Sequence, residues 1–306
     1  MKLVMKMEIK RVVPSGYCQG VIRAIRMVQD TVNKYPDKKI YVLGMIVHNR
    51  YIVDAFNNLG VITLEDPSRN KSELLDDIDD GVVVFTAHGI SEAVKNKAIK
   101  KGLIVVDAAC TYVLKNMALI KEYLNNDYDI IYIGKKKHPE SVAALSISER
   151  IHLVTNNKDI DELDLTNANI MVTNQTTMSV FDTKEYINHI KEKYPEAVVL
   201  EEICDATRQR QKAVMDLKDA DTLIIVGDPA SNNTAQLTRL GKLNGIERVI
   251  QIESAADLKD IDLTGSEKIA VTSGASTPRY LTDNTINYLK TKNPEYLESD
   301  ISQILK

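Results

Sequence analysis

Three cysteines at nearly equal intervals are the residues of this sequence best suited to hold a metal. Cys18 and Cys110 are 92 residues apart, and Cys110 and Cys204 are 94 residues apart. An odd number of cysteines is a poor disulfide framework, and scattered thiols are most often small buried hydrophobic residues. The even spacing favours three copies of one position instead. Three thiolates brought to one point would bind zinc or an iron–sulfur cluster.

The two metals predict different chemistry. Zinc would take the three cysteines together with a histidine or a water molecule. A [4Fe-4S] cluster usually has four cysteine ligands, so three cysteines would leave one iron open to bind a substrate oxygen as a Lewis acid. The sequence contains no C-x-x-C pair. Both metals therefore remain open at this point.

Each cysteine lies where a predicted strand runs into a predicted helix. A short β-branched run precedes every cysteine, and apolar residues at helical spacing follow it, as Val21, Ile25 and Val28 follow Cys18. The positive end of a helix dipole favours a negatively charged thiolate at that place. The cysteines thus share one local setting.

Two further strand-to-helix junctions follow each cysteine, about 30 and about 70 residues later. Their polar side chains are histidines, hydroxyls, amides and one carboxyl group, a set that suits an anionic ligand such as a diphosphate. These residues are His48, His88, His138, Glu140, Thr176, Ser231, Asn232, Asn233 and Ser276.

Glu140 differs from the other junction residues because it can carry a proton. It follows His138 and Pro139 in the chain. Burial and nearby negative charge would raise the pKa of this carboxyl group and make it a proton donor. A solvated glutamate in the first turn of a helix fits the local sequence equally well.

Four basic residues lie in the helices predicted to follow the cysteines. They are Arg23, Lys115, Arg208 and Arg210. Long cationic side chains usually keep the charged end in water, so we expect them on the surface. The alternative is that they add positive potential near a bound anion.

The repeated junctions predict an α/β fold of three similar small parallel-sheet domains in a pseudo-threefold arrangement around a central site. Alternating strands and helices favour parallel sheets, and such sheets bind ligands at the carboxyl ends of their strands. We place the domains at residues 1–110, 111–200 and 201–306. The N-terminal strand is allowed to join the third domain, which also carries the C-terminal tail.

The composition narrows the function classes. The chain has 306 residues, 44% hydrophobic and 27% charged, with 39 basic and 43 acidic side chains and a net charge of −4. This balance argues against a protein whose main role is binding nucleic acid. No apolar run approaches the length of a membrane span, and Lys2, Lys6 and Lys10 interrupt the start of the chain. We expect a cytoplasmic protein without a secretory leader.

Nine short motifs together resemble the 4-hydroxy-3-methylbut-2-enyl diphosphate reductases, the IspH/LytB family. They occur in family order between about residue 11 and residue 281. The motifs are GYCQGVIRAI, IVHN, FTAHGIS, DAACTYV, HPE, NQTTMSV, EEICDATRQRQ, SNN and VTSGASTP.

The resemblance implies a [4Fe-4S] enzyme of the non-mevalonate isoprenoid pathway. Such an enzyme reductively removes the allylic hydroxyl of its diphosphate substrate and forms isopentenyl and dimethylallyl diphosphate, with electrons from ferredoxin or flavodoxin. It implies that Cys18, Cys110 and Cys204 bind a cluster with one open iron and that Glu140 donates protons. The positions that match the family's substrate-binding residues are His48, His88, His138, Thr176, Ser231, Asn233 and Ser276, with Asn232 beside them.

The sequence departs from the family pattern at two places. Residues 109–111 are Ala-Cys-Thr where the family commonly has Thr-Cys-Pro, and residues 231–233 are Ser-Asn-Asn where it has Ser-Ser-Asn. Asn232 keeps a hydrogen-bond donor on a longer side chain.

Two other functions remain open beside the reductase. One is a hydro-lyase that uses the open iron only as a Lewis acid on a phosphorylated alcohol. The other is a non-enzymatic sensor of a phosphate ligand whose thiols hold zinc or no metal. Both are compatible with the same fold, because fold alone does not decide chemistry.

Overall fold

The structure is a computed structural model that describes residues 7–306. The expectation that no leader is present rests partly on residues 1–6, which lie outside the described residues. Between residues 7 and 306, no helix has the length and apolar character needed to cross a membrane.

Short strands alternate with helices along the described chain. The strands are β1 (Glu8–Arg11), β2 (Ile40–Leu43), β3 (Val61–Leu64), β4 (Val82–Phe85), β5 (Ile104–Asp107), β6 (Asp129–Ile133), β7 (Ile151–Val154), β8 (Ile170–Asn174), β9 (Val198–Val199), β10 (Thr222–Val226), β11 (Arg248–Ile252) and β12 (Lys268–Ser273). The helices are α1 (Gln19–Lys34), α2 (Arg50–Asn57), α3 (Lys71–Leu74), α4 (Glu92–Lys100), α5 (Thr111–Asn125), α6 (Pro139–Leu145), α7 (Asn157–Glu162), α8 (Val180–Lys193), α9 (Asp205–Met215), α10 (Asn232–Leu243) and α11 (Arg279–Thr291). Short 3₁₀ turns cover Leu75–Asp77, Ala255–Asp260, Pro294–Leu297 and Ile301–Gln303.

Within residues 7–306 the strands form three four-stranded parallel sheets. Their strand orders are β1-β12-β10-β11, β3-β2-β4-β5 and β7-β6-β8-β9. Central strands such as β4 and β10 are buried along their whole length, which explains the uninterrupted apolar runs at residues 82–85 and 223–226. The predicted α/β class with three small parallel sheets is confirmed. The pseudo-threefold arrangement around a centre stays a prediction.

The three sheets repeat one order when each is read from the edge strand that precedes a cysteine. These edge strands are β1, β5 and β9, and their neighbours are β12, β4 and β8. Strand β1 pairs in parallel with β12, with Glu8 opposite Lys268. Cys18 therefore follows a strand whose sheet is otherwise formed by β10, β11 and β12, near the C-terminal end of the chain. The domain boundaries near residues 110 and 200 stay a prediction.

The described chain divides into two compact units. Unit 1 contains the described residues up to Val21 together with His48–Ala55 and Asp205–Lys306, and it holds the sheet of β1, β10, β11 and β12. Unit 2 contains Ile22–Val47 and Phe56–Cys204, and it holds the other two sheets.

Each unit has its own apolar core between sheet and helices. In unit 1, Leu223 and Ile225 of β10 pack with Leu237 and Leu240 of α10, two residues at helical spacing. In unit 2, one cluster gathers residues of β6, β7 and β8 with Ile190 of α8. Each fully buried aliphatic side chain contributes about 1.5–3 kcal/mol to folding. These cores hold the strand ends on which the polar junctions stand.

Candidate functional site

The three cysteines stand at the start of helices, as the sequence predicted. Cys110 is the N-cap of α5, and Cys18 and Cys204 directly precede α1 and α9. All three are half-buried, and none of these described cysteines forms a disulfide. Their partial exposure argues against the interpretation as ordinary buried hydrophobic residues. Free, partly exposed thiols at helix N-termini are a donor set that fits a thiolate-bound metal or cluster.

A loop of the neighbouring strand fixes the backbone of each cysteine. The N–H group of every cysteine donates a hydrogen bond to a carbonyl oxygen in the loop after β12, β4 or β8. The pairs are Cys18 with Ala275 at 3.0 Å, Cys110 with Ala87 at 2.9 Å, and Cys204 with Thr176 at 3.1 Å. Each cysteine thus lies beside one of the other predicted site loops.

Unit 1 brings together two serines and a histidine backbone. Ser231 is the N-cap of α10, and its Oγ accepts a hydrogen bond from the N–H of Thr234. Ser276 lies 3.4 Å from Ser231 between the Oγ atoms and donates to the carbonyl oxygen of His48 at 3.0 Å. Both serine side chains are buried. These predicted positions are therefore neighbours in unit 1.

The two asparagines at the start of α10 are buried with these serines. Asn233 accepts the N–H of Ala275 on Oδ1 at 3.3 Å and donates from Nδ2 to Thr207 Oγ1 at 3.1 Å. Asn232 is the first residue of α10 and is 6% exposed. Because Ala275 also holds the N–H of Cys18, Asn233 is linked through that residue to the cysteine.

Unit 2 brings together two histidines. The rings of His88 and His138 meet edge to face, with centroids 5.5 Å apart. His138 is the N-cap of α6, and its Nδ1 accepts the N–H of Glu140 at 3.2 Å, which assigns the proton of a neutral ring to Nε2. Pro139 occupies the first helical position, where its fixed φ suits the helix start.

Glu140 is buried in unit 2, with 1% of its surface exposed. Its Oε1 accepts the N–H of Thr176 at 2.8 Å, and its Oε2 accepts the Oγ1–H of Thr176 at 2.9 Å. The hydroxyl of Tyr132 lies 3.4 Å from Oε1. Burial raises the pKa of Glu140 to about 7, against the lowering effect of these hydrogen bonds. The solvated-glutamate interpretation is wrong, and the carboxyl group can hold a proton near neutral pH.

Sequence reasoning missed two residues around this carboxyl group. Tyr132 lies in the apolar strand β6. A buried tyrosine hydroxyl usually has a polar partner, so this residue could have indicated a buried polar group nearby. Gln175 accepts hydrogen bonds on Oε1 from the N–H of Lys135 at 3.0 Å and from Ser141 Oγ at 3.3 Å. It therefore ties the loop after β8 to the loop after β6 and keeps Thr176 next to Glu140.

One of the basic residues expected on the surface is buried. Arg210 is 4% exposed, and its Nη2 donates to the carbonyl oxygen of Gly16 at 2.7 Å. The surface prediction for this residue is wrong because a backbone carbonyl replaces water as its hydrogen-bond partner. Lys115, by contrast, keeps 60% of its side chain exposed.

Comparison with known proteins places the chain in one family. The profile described as LytB protein matches residues 9–290. The 4-hydroxy-3-methylbut-2-enyl diphosphate reductase of Geobacillus kaustophilus strain HTA426 is 44% identical over 294 residues, 94% of this chain and 92% of that protein. The protein of the same name from Listeria monocytogenes serotype 4b is 44% identical over 93% of this chain and 86% of its own length.

A solved structure shares the fold. The E-1-hydroxy-2-methyl-but-2-enyl-4-diphosphate reductase of Plasmodium falciparum superposes with a TM-score of 0.86 at 31% identity. The match covers 95% of this chain and 90% of the Plasmodium chain.

Proposed function

Because this chain belongs to the LytB family, we propose that it is a 4-hydroxy-3-methylbut-2-enyl diphosphate reductase. The family predicted from the nine motifs is confirmed. The proposed reaction consumes two electrons and two protons, breaks the allylic C–O bond, and releases water with isopentenyl or dimethylallyl diphosphate. The observation that carries the proposal is a carboxyl group with a pKa of about 7, buried beside Thr176, in a chain similar to these reductases along nearly its whole length.

The LytB family uses an iron–sulfur cluster. We propose Cys18, Cys110 and Cys204 as its ligands in this chain, in a [4Fe-4S] cluster with one open iron. When bound, such a cluster supplies electrons and a Lewis-acidic iron. The support is that all three thiols are free of disulfides, half-buried and at helix N-termini.

Glu140 is the proposed proton donor. At neutral pH a carboxyl group with a pKa of about 7 is partly protonated, so it can release a proton to a leaving hydroxyl. Thr176 holds both carboxyl oxygens and fixes their direction. After the transfer, the same two hydrogen bonds stabilise the carboxylate, which limits the cost of charging a buried group.

The proposed diphosphate-binding residues are hydrogen-bonding groups. They are His48, His88, His138, Thr176, Ser231, Asn232, Asn233 and Ser276. Hydroxyl and amide donors at the start of a helix such as α10 bind an anion without a formal counter-charge. Anchoring the diphosphate would hold the allylic end of the substrate in one orientation, which lowers the entropic part of the barrier.

The proposed electron donor is ferredoxin or flavodoxin, and the proposed location is the cytoplasm. The electron donor follows from the family resemblance, and the location is the one expected from the sequence. The similarity to named reductases does not favour the two alternatives, a zinc-binding sensor and a hydro-lyase.

An anaerobic assay with the allylic diphosphate and a low-potential reductant tests the proposal. We expect a brown protein that forms both products only when the reductant is present. Turnover without reductant would favour the hydro-lyase, and a colourless protein with tightly bound zinc would favour the sensor. Replacement of Cys110 by serine should abolish the brown colour, because a neutral hydroxyl is a poor iron ligand.

A further inference from the structure

Arg210 connects the helix after one cysteine with the loop before another. It lies in α9, six residues after Cys204, and its guanidinium is buried. Nη1 donates to the carbonyl oxygen of Ala206 at 3.0 Å within the helix, and Nη2 donates to that of Gly16 at 2.7 Å. Gly16 precedes Cys18 by two residues, so the side chain holds the loop that carries this cysteine.

Both backbone polar groups of Gly16, in the loop held by Arg210, form hydrogen bonds. The N–H of Gly16 donates to Ser273 Oγ at 2.7 Å. Gly16 has a φ of +85°, and a Cβ there would lie 3.2 Å from Cβ of Arg279, so a glycine suits the position. Together with the bond from the N–H of Cys18 to Ala275, these contacts hold the loop at three backbone groups.

Arg23 makes an equivalent connection in unit 2. It lies in α1, five residues after Cys18. Its Nη1 donates to the carbonyl oxygen of Ala109 at 2.7 Å, and Ala109 directly precedes Cys110. The guanidinium thus holds the peptide that leads into the second cysteine.

Lys115 makes the third connection, also in unit 2. It lies in α5, five residues after Cys110, and its Nζ contacts both carboxylate oxygens of Glu202 at 2.9 and 3.0 Å. Glu202 precedes Cys204 by two residues, and its N–H donates to Asn174 Oδ1 at 3.0 Å. The residue after the lysine, Asn116, donates to the carbonyl oxygen of Asn174 at 2.9 Å and reinforces the contact from inside the core.

The three connections follow one rule along the chain. A cationic side chain in the helix after each cysteine binds the residue that lies one or two positions before another cysteine. We propose that Arg23, Lys115 and Arg210 are positioning residues that set the three cysteine loops before any cluster binds, and that the charge of the buried Arg210 favours the reduced state of the cluster. We call them the three latches. The effect on the cluster rests on the proposed function, whereas the effect on the loops rests only on the observed contacts. Groups that orient metal ligands without touching the metal commonly change its affinity 10- to 100-fold, on the order expected here.

The latches should differ in strength. Arg210 is buried, whereas Lys115 forms a partly exposed ion pair that water and salt weaken. Removal of Arg210 should therefore have the larger effect, because water does not readily replace its hydrogen bond to the carbonyl oxygen of Gly16 at a buried site.

The test compares Arg210→Met with Lys212→Met in reconstituted holoenzyme. Lys212 is in the same helix, 75% exposed and paired with Asp216, so it is a matched charge control. We expect Arg210→Met to lose iron to a chelator about tenfold faster than wild type and to have a lower reduction potential. Lys212→Met should match wild type on both measures. Arg210→Lys should recover the potential more fully than the rate of iron loss, because it restores the charge without the planar fork.

A second measurement needs no metal. In the apo protein, hydrogen exchange of the peptide that contains Cys18 should be faster in Arg210→Met than in wild type, while the peptide that contains Cys110 is unchanged. Wild-type iron loss, potential and exchange in Arg210→Met would overturn the proposal. If that variant does not fold, Arg23→Met and exchange around Cys110 decide in the same way. A wild-type protein that takes up no iron would refute the proposed function, and the exchange comparison would still test the latches.

Discussion

The turns after β6 and β10 have the same layout but different chemistry. In each turn, a glycine directly follows the strand, and the N-cap of the next helix comes four residues after that glycine. The side chain of the second helical residue then accepts a hydrogen bond from the N–H group that lies two residues beyond the end of a neighbouring strand. Glu140 accepts from Thr176 in the first turn, and Asn233 accepts from Ala275 in the second. Close packing requires the glycine, since a Cβ on Gly227 would lie 2.5 Å from Thr234 Oγ1.

The two turns share a backbone layout, and a single side chain decides the chemistry of each. The backbone hydrogen bond is the same, so it carries no information about chemistry. Glu140 can hold or release a proton, and burial brings its pKa to about 7. Asn233 is also buried but stays neutral at every pH, which suits a donor group for an anion.

Replacement of Glu140 by glutamine makes the first turn resemble the second and should have the largest effect. The amide can still accept the N–H of Thr176, so we expect a normal fold and cluster. Loss of the proton donor should lower kcat by about 10²–10⁴-fold. Anaerobic turnover and iron content measure both. Glu149→Gln, at an exposed position, is the control, and a wild-type rate in Glu140→Gln would remove the residue from the mechanism.

The pH dependence of activity and stability should follow Glu140. Its pKa rises from 4.5 to about 7 on folding, so the folded state binds this proton more tightly than the unfolded chain. The free energy of unfolding should therefore fall between pH 4.5 and 7, by a total on the order of 3 kcal/mol. The rate should likewise fall above pH 7. Denaturant titrations and kcat profiles of wild type and Glu140→Gln test this, and an equal slope in both proteins would contradict it.

Replacement of Asn233 by aspartate makes the second turn resemble the first. A carboxylate at this buried site would repel the diphosphate and lose the donor to Thr207. We expect KM to rise about 10- to 100-fold and the loss to be smaller at low pH, where the carboxyl group is neutral. An unchanged KM at pH 8 would show that Asn233 lies away from the bound anion.

Replacement of Ser276 by alanine removes one neutral donor from the second region. The bond to the carbonyl oxygen of His48 would be lost, at a cost of about 1 kcal/mol. We expect KM to rise about fivefold with kcat nearly unchanged, which is the opposite of the Glu140→Gln pattern. Steady-state kinetics decide, and a loss confined to kcat would assign Ser276 to the chemical step.

Replacement of Asn232 by serine should have the smallest effect. Both side chains donate a hydrogen bond at the first position of α10, although the serine is shorter. We expect KM to change by about threefold or less. A change beyond about tenfold would show that the longer amide sets the choice of substrate.

The repeat could be predicted from sequence because it rests on local patterns. Each cysteine follows an apolar run and precedes a helical one, and the structure places Cys110 at the N-cap of α5 as expected. The membership of the sheets was less accessible. Strand β1 pairs with β12 across most of the chain, with Glu8 opposite Lys268, and no local pattern encodes such a pairing.

Arg210 shows why part of the site escaped sequence reasoning. The buried face of α9 consists of Thr207, Arg210, Gln211 and Val214, so its inward stripe has helical spacing but mostly polar residues. A search for apolar periodicity does not detect a face of this kind. Only a partner such as the carbonyl of Gly16 identifies the arginine as buried.

The family, the three-part repeat and the residues at strand-to-helix junctions could be predicted, because they depend on residue type and on spacing along the chain. The pairing of β1 with β12, the burial of Arg210 and the desolvation of Glu140 became clear only from the three-dimensional structure. Strand pairing and desolvation arise from residues far apart in the chain, such as Thr176 and Tyr132 around Glu140. Their free energies depend on distance and solvent access, which only the fold defines.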